Sequence, residues 1–304
     1  MTRPPSIRRN CPICGSRDDS RVFAKDTYDP ALLNSYSFAS RKIPEYMHHR
    51  LLECPGCDLL YSSPLPKRVN FSRSYQEASY DSSEESHFAA KTYARLLPPL
   101  LRRHPDRRGA LDIGAGDGAF LEELLDLGFT NVVGVEPSLA PVRAASPRIR
   151  SHLRHAFFHG DRFRRSSLSL VSCFQTVEHV DDPLGICRAA LRILRPGGAL
   201  LVVAHNRRSL SARVLGSKSP IYDIEHLQLF SPRSATEMFH RAGFDPVETF
   251  SITNRYPLHY WMKLLPFPKT FKERVLNVMR KSAWGRMPIS LPAGNMAIIG
   301  YKKS

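Results

Sequence analysis

A chain of 304 residues is long enough for one full α/β domain plus a smaller satellite, and too short for more. With 42% apolar and 24% charged residues it has a globular composition, and no run reaches the ~18 consecutive apolar residues of a membrane span. The formal charge of +16 admits a polyanionic partner such as RNA, but the basic residues are spread from Arg3 to Lys303 without the interleaved aromatics of a single-strand platform, so a solvated basic surface is the simpler reading.

Residues 1–10 read as a disordered basic tail. Met1 to Arg9 leads into Cys11 without the apolar run of a secretory signal, so a cytoplasmic location is the expectation. Four of the six cysteines form two pairs, Cys11-Pro12-Ile13-Cys14 and Cys54-Pro55-Gly56-Cys57, each able to put two thiolates on one tetrahedral zinc. Four sulfur ligands leave no open position, so such a site is structural; a redox pair or a metal-free module is the alternative. The 39 residues between the pairs leave room for a hairpin, and His48 and His49 read as surface residues. This module is bounded at 11–66 by the turn-prone Ser62-Ser63-Pro64-Leu65-Pro66, and 67–105 reads as a linker and helical cover, with a helix over 93–101.

From residue 106 to 304 short apolar runs alternate with amphipathic stretches. Strands are expected at 110–113, 132–135, 153–158, 168–174 and 199–204, and helices at 119–127 and 183–194. A helix at 234–242 and strands at 247–252 and 296–301 follow. The alternation predicts a doubly wound α/β sheet, mostly parallel, with helices on both faces.

The most informative stretch, Leu111-Asp112-Ile113-Gly114-Ala115-Gly116-Asp117-Gly118-Ala119-Phe120, carries a strand through a glycine turn into a helix. At the carboxyl edge of a parallel sheet such a turn lets a ligand approach the backbone closely. Glu136 ends the next strand, 20 residues after Gly116, where an acid can accept hydrogen bonds from ribose hydroxyls. Taken singly, Asp112 and Asp161 read equally well as turn or cap residues.

As a set these residues resemble class I methyltransferases. The turn at 112–118 resembles their first motif and Gly134-Val135-Glu136-Pro137-Ser138 their second. Gly160-Asp161, Val177-Glu178-His179-Val180-Asp181-Asp182-Pro183 and Leu194-Arg195-Pro196-Gly197-Gly198 extend the likeness over 86 to about 250. The resemblance implies a Rossmann-like sheet with an antiparallel last strand, and S-adenosylmethionine as cofactor. It implies Gly114, Gly116 and Gly118 as its turn, Asp112 as partner of the methionine ammonium or of the loop backbone, Glu136 as the ribose acid, and Asp161 on the adenine amino group. Ser169 stands where the family commonly has an aspartate opening the fourth strand.

The cysteine pairs followed by Leu59-Leu60-Tyr61-Ser62-Ser63-Pro64 and such a domain are similar to a group that includes deoxysugar C-methyltransferases. That likeness implies methyl transfer to a small biosynthetic intermediate, a nucleotide-linked sugar among them, with the acceptor pocket formed by an insertion near 205–232. It makes His226 the general base, Glu225 and His179 its assistants, and Tyr222 or Tyr75 the residue that positions the acceptor. From the residues alone, His226 reads as well as a loop hydrogen bonder, and Glu178-His179 as a structural pair. An RNA methyltransferase and a non-catalytic binding protein built on the same fold remain the competing functions.

Overall fold

The computed structural model describes residues 6–16, 20–34, 36–39, 42, 44–66 and 79–303; Tyr75 lies outside them. Five short strands form the N-terminal part: β1 (Ser6–Ile7), β2 (Arg21–Ala24), β3 (Leu51–Glu53), β4 (Leu60–Ser62) and β5 (Leu65–Pro66). The tail expected to be disordered is structured from Ser6 onward. β1 pairs antiparallel with β5, and the Arg9 guanidinium donates to the Ser62 carbonyl (2.9 Å) and to Gln228 Oε1 (3.0 Å). β2, β3 and β4 make an antiparallel sheet spanning the two cysteine pairs, which is the hairpin that the spacing allowed.

Two helices follow, α1 (Ser83–Ala94) and α2 (Leu97–Arg103), and then the main sheet. In chain order it comprises β6 (Arg108–Ile113), α3 (Ala119–Asp126), β7 (Thr130–Glu136), α4 (Leu139–Ala144), β8 (Leu153–His155), β9 (Leu168–Phe174), α5 (Pro183–Ile193) and β10 (Leu194–His205). After it come α6 (Leu210–Leu215), β11 (Gln228–Leu229), α7 (Pro232–Ala242), β12 (Val247–Pro257), α8 (Leu258–Leu264), α9 (Lys269–Lys281) and β13 (Pro288–Tyr301). The strand order is β12-β13-β10-β9-β6-β7-β8, with β8, β7, β6, β9 and β10 parallel and β13 antiparallel to both of its neighbours.

Alternation along each strand builds two cores. Leu111, Ile113, Leu200 and Val202 face α5 and α7 on one side, while Ala110, Ala199, Leu201 and Val203 join α1, α2 and α3 on the other. Helix starts follow from local chemistry: Asp182 caps α5 by accepting from the Gly185 amide (2.8 Å), with Pro183 in the first turn, and Ser231 and Ser234 form a capping box for α7.

The N-terminal module is not a detached satellite. Its sheet takes a fourth strand, β11, from the segment after β10, and Cys11, Cys54 and Cys57 belong to the same core cluster as Phe230, Ala235 and Met238. His48 and His49, expected at the surface, are buried; His48 Nδ1 faces the His49 carbonyl at 2.8 Å and the His49 ring packs on Tyr28. Between the strands expected at 247–252 and 296–301, where the sequence showed no element, lie α8 and α9, each entered from a proline, Pro257 and Pro268.

Candidate active site

Chain order reverses direction between β6 and β9: β6, β7 and β8 lie to one side, β9 and β10 to the other. Loops leaving the carboxyl ends of β6 and β9 therefore diverge and open a crevice, the general ligand position of open α/β sheets. A cavity of about 700 Å³ occupies that crevice, within the ~300–1,000 Å³ typical of small-molecule sites.

At one end the cavity is lined by Asp112, Gly114, Gly116 and Glu136. Gly114, Gly116 and Gly118 all have positive φ (75°, 56° and 79°), so the turn winds through a backbone region that side chains disfavour. A Cβ on Gly114 would lie 2.3 Å from Thr176 Oγ1 and one on Gly118 2.5 Å from Ile149 Cδ1, whereas one on Gly116 would meet nothing within 4 Å. Gly116 is thus the open floor of the turn. Gly118 starts α3 and packs on Ile149, and it does not line the cavity.

Both carboxylates are buried. Glu136 accepts from the Gly116 amide (2.9 Å) and the Ser138 amide (2.8 Å), which fixes the group. Burial raises its pKa against those two hydrogen bonds and a third from the Ser138 side chain. Asp112 accepts from Ser172 Oγ (2.7 Å); burial pushes its carboxyl up to about 7, with the Ser172 hydroxyl opposing and the nearby Glu136 reinforcing. Gln175, at positive φ just past β9, turns a buried Nε2 donor with no partner among the described residues into the same wall. Two desolvated acids, an unsatisfied donor and an open glycine floor suit a ligand bearing an ammonium, hydroxyls and an acceptor group, as S-adenosylmethionine does.

Asp161 stands elsewhere. It is exposed on the single turn Gly160–Arg162 and is not among the residues lining the cavity. β8 ends at His155, earlier than expected, and it is Phe157, Phe158 and His159 that line the cavity. At Ser169, the hydroxyl donates to the Gly109 carbonyl (3.1 Å), tying β9 to β6 in place of the missing acid.

The other end of the cavity gathers three imidazoles. The His226 ring lies 4.9 Å from that of His179 and 5.1 Å from that of His205. Each Nδ1 faces an oxygen: Ile221 carbonyl for His226 (2.8 Å), Glu225 carbonyl for His179 (3.1 Å) and Asn295 Oδ1 for His205 (2.9 Å). A carbonyl can only accept, so His226 carries its hydrogen on Nδ1 and keeps Nε2 as the basic nitrogen, whereas His179 also bonds the Gln175 backbone. Burial lowers all three pKa values, to about 4 for His179 and His205 and well below the ordinary value for His226, whose neighbours His179 and His205 add to the effect. The Glu225 carboxylate lies within 4.8 Å of ring nitrogens of both His179 and His226. Glu178, by contrast, is turned into the core, where Oε1 accepts from the His205 amide (2.8 Å).

Tyr222 does not reach this site. Ile221 and Asp223 face the cavity, and the intervening side chain points the opposite way, against Leu51, Leu60, Phe23 and His48 of the N-terminal module. The aromatic wall comes instead from Tyr256, Tyr260 and Trp261, beyond the insertion that sequence pointed to. The module also contributes Lys42, buried between Glu45 (2.6 Å) and Asp223 (2.7 Å); burial alone would depress its pKa, but Glu225, Asp223 and Glu45 outweigh that and hold it charged. His205 was missed although it closes a recognised strand at the sheet's carboxyl edge; for Lys42 no sequence signal was present.

The four cysteines converge as their spacing required. Cys11 and Cys57 sulfurs are 3.4 Å apart, as are those of Cys14 and Cys54, and all four lie within 4.8 Å of one another. The two turns match: the Gly15 amide donates to the Cys11 carbonyl and the Asp58 amide to the Cys54 carbonyl (both 2.9 Å), and Gly15 and Asp58 both have positive φ. Such a set suits one tetrahedral ion with metal–sulfur distances of ~2.3 Å. Asp58 also anchors the domain: Arg208 Nε reaches its Oδ2 (3.1 Å), and Arg207 bonds both Asp58 and Glu53 (2.6 Å to Glu53).

The strand order and the carboxylate-rimmed crevice are those of the S-adenosylmethionine-dependent class of α/β transferases. The chain belongs to the methyltransferase-domain family, whose signature matches residues 85–249. A probable S-adenosylmethionine-dependent methyltransferase of Mycolicibacterium smegmatis is 30% identical over 148 residues, 48% of this chain and 55% of that protein. A ubiquinone biosynthesis O-methyltransferase of Dinoroseobacter shibae is 28% identical over 150 residues, 45% of this chain and 60% of that one. The match thus spans little more than half the length of these relatives. Among solved structures, a possible histamine N-methyltransferase of Thermotoga maritima aligns over 72% of this chain and 92% of its own, with 23% identity and a TM-score of 0.47.

Proposed function

We propose that the protein transfers a methyl group from S-adenosylmethionine to a small biosynthetic intermediate, at an oxygen or carbon that gives up a proton. One observation carries the reading: a single cavity joins the Asp112 and Glu136 carboxylates to the imidazoles of His179, His205 and His226. The cofactor supplies an electrophilic methyl group on a sulfonium. In this reading Asp112 pairs with its ammonium, Glu136 accepts from its ribose hydroxyls, and the 157–159 segment takes over at the adenine end from Asp161.

His226 Nε2 accepts the acceptor's proton as the new bond to carbon forms, beside the Glu225 carboxyl, whose pKa burial raises well above the ordinary range against the pull of Lys42. A base at this position favours O–H and C–H acceptors, because a neutral amine attacks with its own lone pair. Nucleotide-linked sugars fit this class, as do hydroxyl acceptors of the kind that the name of the ubiquinone biosynthesis O-methyltransferase relative implies. Incubation with a deuterated-methyl cofactor and a panel of both, analysed by mass spectrometry, is expected to label a small molecule. Label confined to RNA, with a steep salt dependence of binding, would replace the reading with the RNA alternative.

We assign zinc to the four cysteines as a structural ion. Because Cys11, Cys54 and Cys57 sit in the core beneath α5 and α7, losing the ion loosens that face of the domain. A bound ion at about 1,000 times its Kd stabilises by about 4 kcal/mol. Atomic emission is expected to find one zinc per unmodified chain, and Cys54→Ser to abolish it and to lower Tm; an unmodified chain purified without zinc, or a variant with the wild-type Tm, would refute the assignment.

A further inference from the structure

The segment between β12 and β13 carries charge and apolar surface in an unusual combination. Residues 258–287 contain seven lysines and arginines and a single acid, Glu273. α9 turns Leu276 and Met279 inward and leaves Phe271 and Val278 50% and 63% exposed. Phe271, Arg274, Val278 and Lys281 are spaced three or four apart, so they form one stripe along the helix, alternately apolar and cationic, and all four are exposed.

The turn after the helix folds back on it, with Arg286 Nε donating to the Arg280 carbonyl (2.8 Å). This leaves Trp284 and Met287 exposed at the same end as Arg280, Lys281 and Arg286. At the other end the Phe267 ring packs on Phe271 and is itself exposed. Single exposed apolar residues are ordinary on a protein surface. A helix stripe that interleaves them with cations, almost free of acids, has the composition of helices that lie in the interface of an anionic bilayer, with apolar side chains among the acyl chains and cations at the headgroups.

We infer that this face docks the protein on an anionic phospholipid membrane, with α9 lying along the surface. No described helix is long and apolar enough to cross a membrane, so the attachment is peripheral. A nucleic acid would use the cations and stack on Phe271 and Trp284 but gain nothing from Val278 and Met287, whereas a bilayer takes up all four apolar side chains. The patch also begins where the cavity wall ends: Tyr260, Trp261 and Leu264 line the cavity, and Leu265 and Phe267 immediately after them are exposed. Docking therefore sets the aromatic end of the cavity beside the membrane, where an amphiphilic acceptor would be met. This consequence rests on the methyltransferase reading; the docking itself does not.

The two tryptophans make the test direct, since Trp284 is exposed and Trp261 is part of the cavity wall. Vesicles of phosphatidylcholine with about 30% phosphatidylglycerol are expected to sediment with the full chain at least about tenfold better than pure phosphatidylcholine, and to shift tryptophan emission to the blue. Trp284→Phe should remove the shift. The pair Phe271→Ser/Val278→Ser and the pair Arg274→Glu/Lys281→Glu should each cut vesicle binding at least about tenfold. Calorimetry with S-adenosylhomocysteine on the same samples checks that the variants are folded and reports the cofactor reading separately. A wild-type chain left in the supernatant with anionic vesicles, an apolar pair variant that binds like wild type, or tighter binding to transfer RNA than to the vesicles would each overturn the inference.

Discussion

Replacing His226 by alanine is expected to lower kcat by about 10²–10⁴-fold, the contribution of a well-placed acid–base group, and to leave S-adenosylhomocysteine affinity unchanged. The Ile221 carbonyl holds the hydrogen of His226 on Nδ1, so the lone pair on Nε2 is available without a change of tautomer. Burial keeps the ring neutral, and kcat at saturating cofactor should hold level as pH falls through 6.5, where an exposed histidine would begin to protonate. Because His226 contacts His179 and His205, retained cofactor binding is the control that separates lost chemistry from a collapsed pocket. An unaltered kcat would remove His226 from the mechanism.

The second large effect is expected at Glu136. Its two oxygens are already fixed by the Gly116 and Ser138 amides, so the carboxylate is preorganised to accept from two neighbouring hydroxyls. Hydrogen bonds to a charged group contribute about 1.5–3 kcal/mol each, and losing two of them in Glu136→Ala should raise the Kd for S-adenosylhomocysteine by about 100-fold or more. Glu136→Gln should also bind poorly, because its amide nitrogen would have to face one of the two backbone N–H donors. Calorimetry that returned wild-type affinity for both variants would move the cofactor elsewhere.

What could be read from the sequence divides along physical lines. The glycine turn and Glu136 were legible because a parallel sheet fixes where its strands end, and a residue at a strand end has one direction to face. The cysteine cluster was legible because two short knuckles constrain their own geometry whatever the fold between them. Asp161 and Tyr222 lie on irregular backbone, where no period says which way a side chain turns. Tyr222 faced the module because its neighbours Ile221 and Asp223 took the cavity side. Lys42 and the aromatic wall at Tyr256, Tyr260 and Trp261 arrive from segments far apart in the chain, so only tertiary packing brings them to the site. α8 and α9 were hidden by prolines at their entries and by an outward face that mixes apolar and basic residues.

The central claim is that the crevice rimmed by Asp112 and Glu136 holds the cofactor, and calorimetric titration of S-adenosylhomocysteine into the unmodified chain over a range of pH tests it most directly. With the Asp112 carboxyl raised to about 7, the product's ammonium meets a carboxylate only above that pH. One equivalent should therefore bind tightly at pH 8, with affinity falling toward about tenfold per unit as the pH drops below 7. Absence of binding at every pH, or binding that strengthens in acid, would contradict the account.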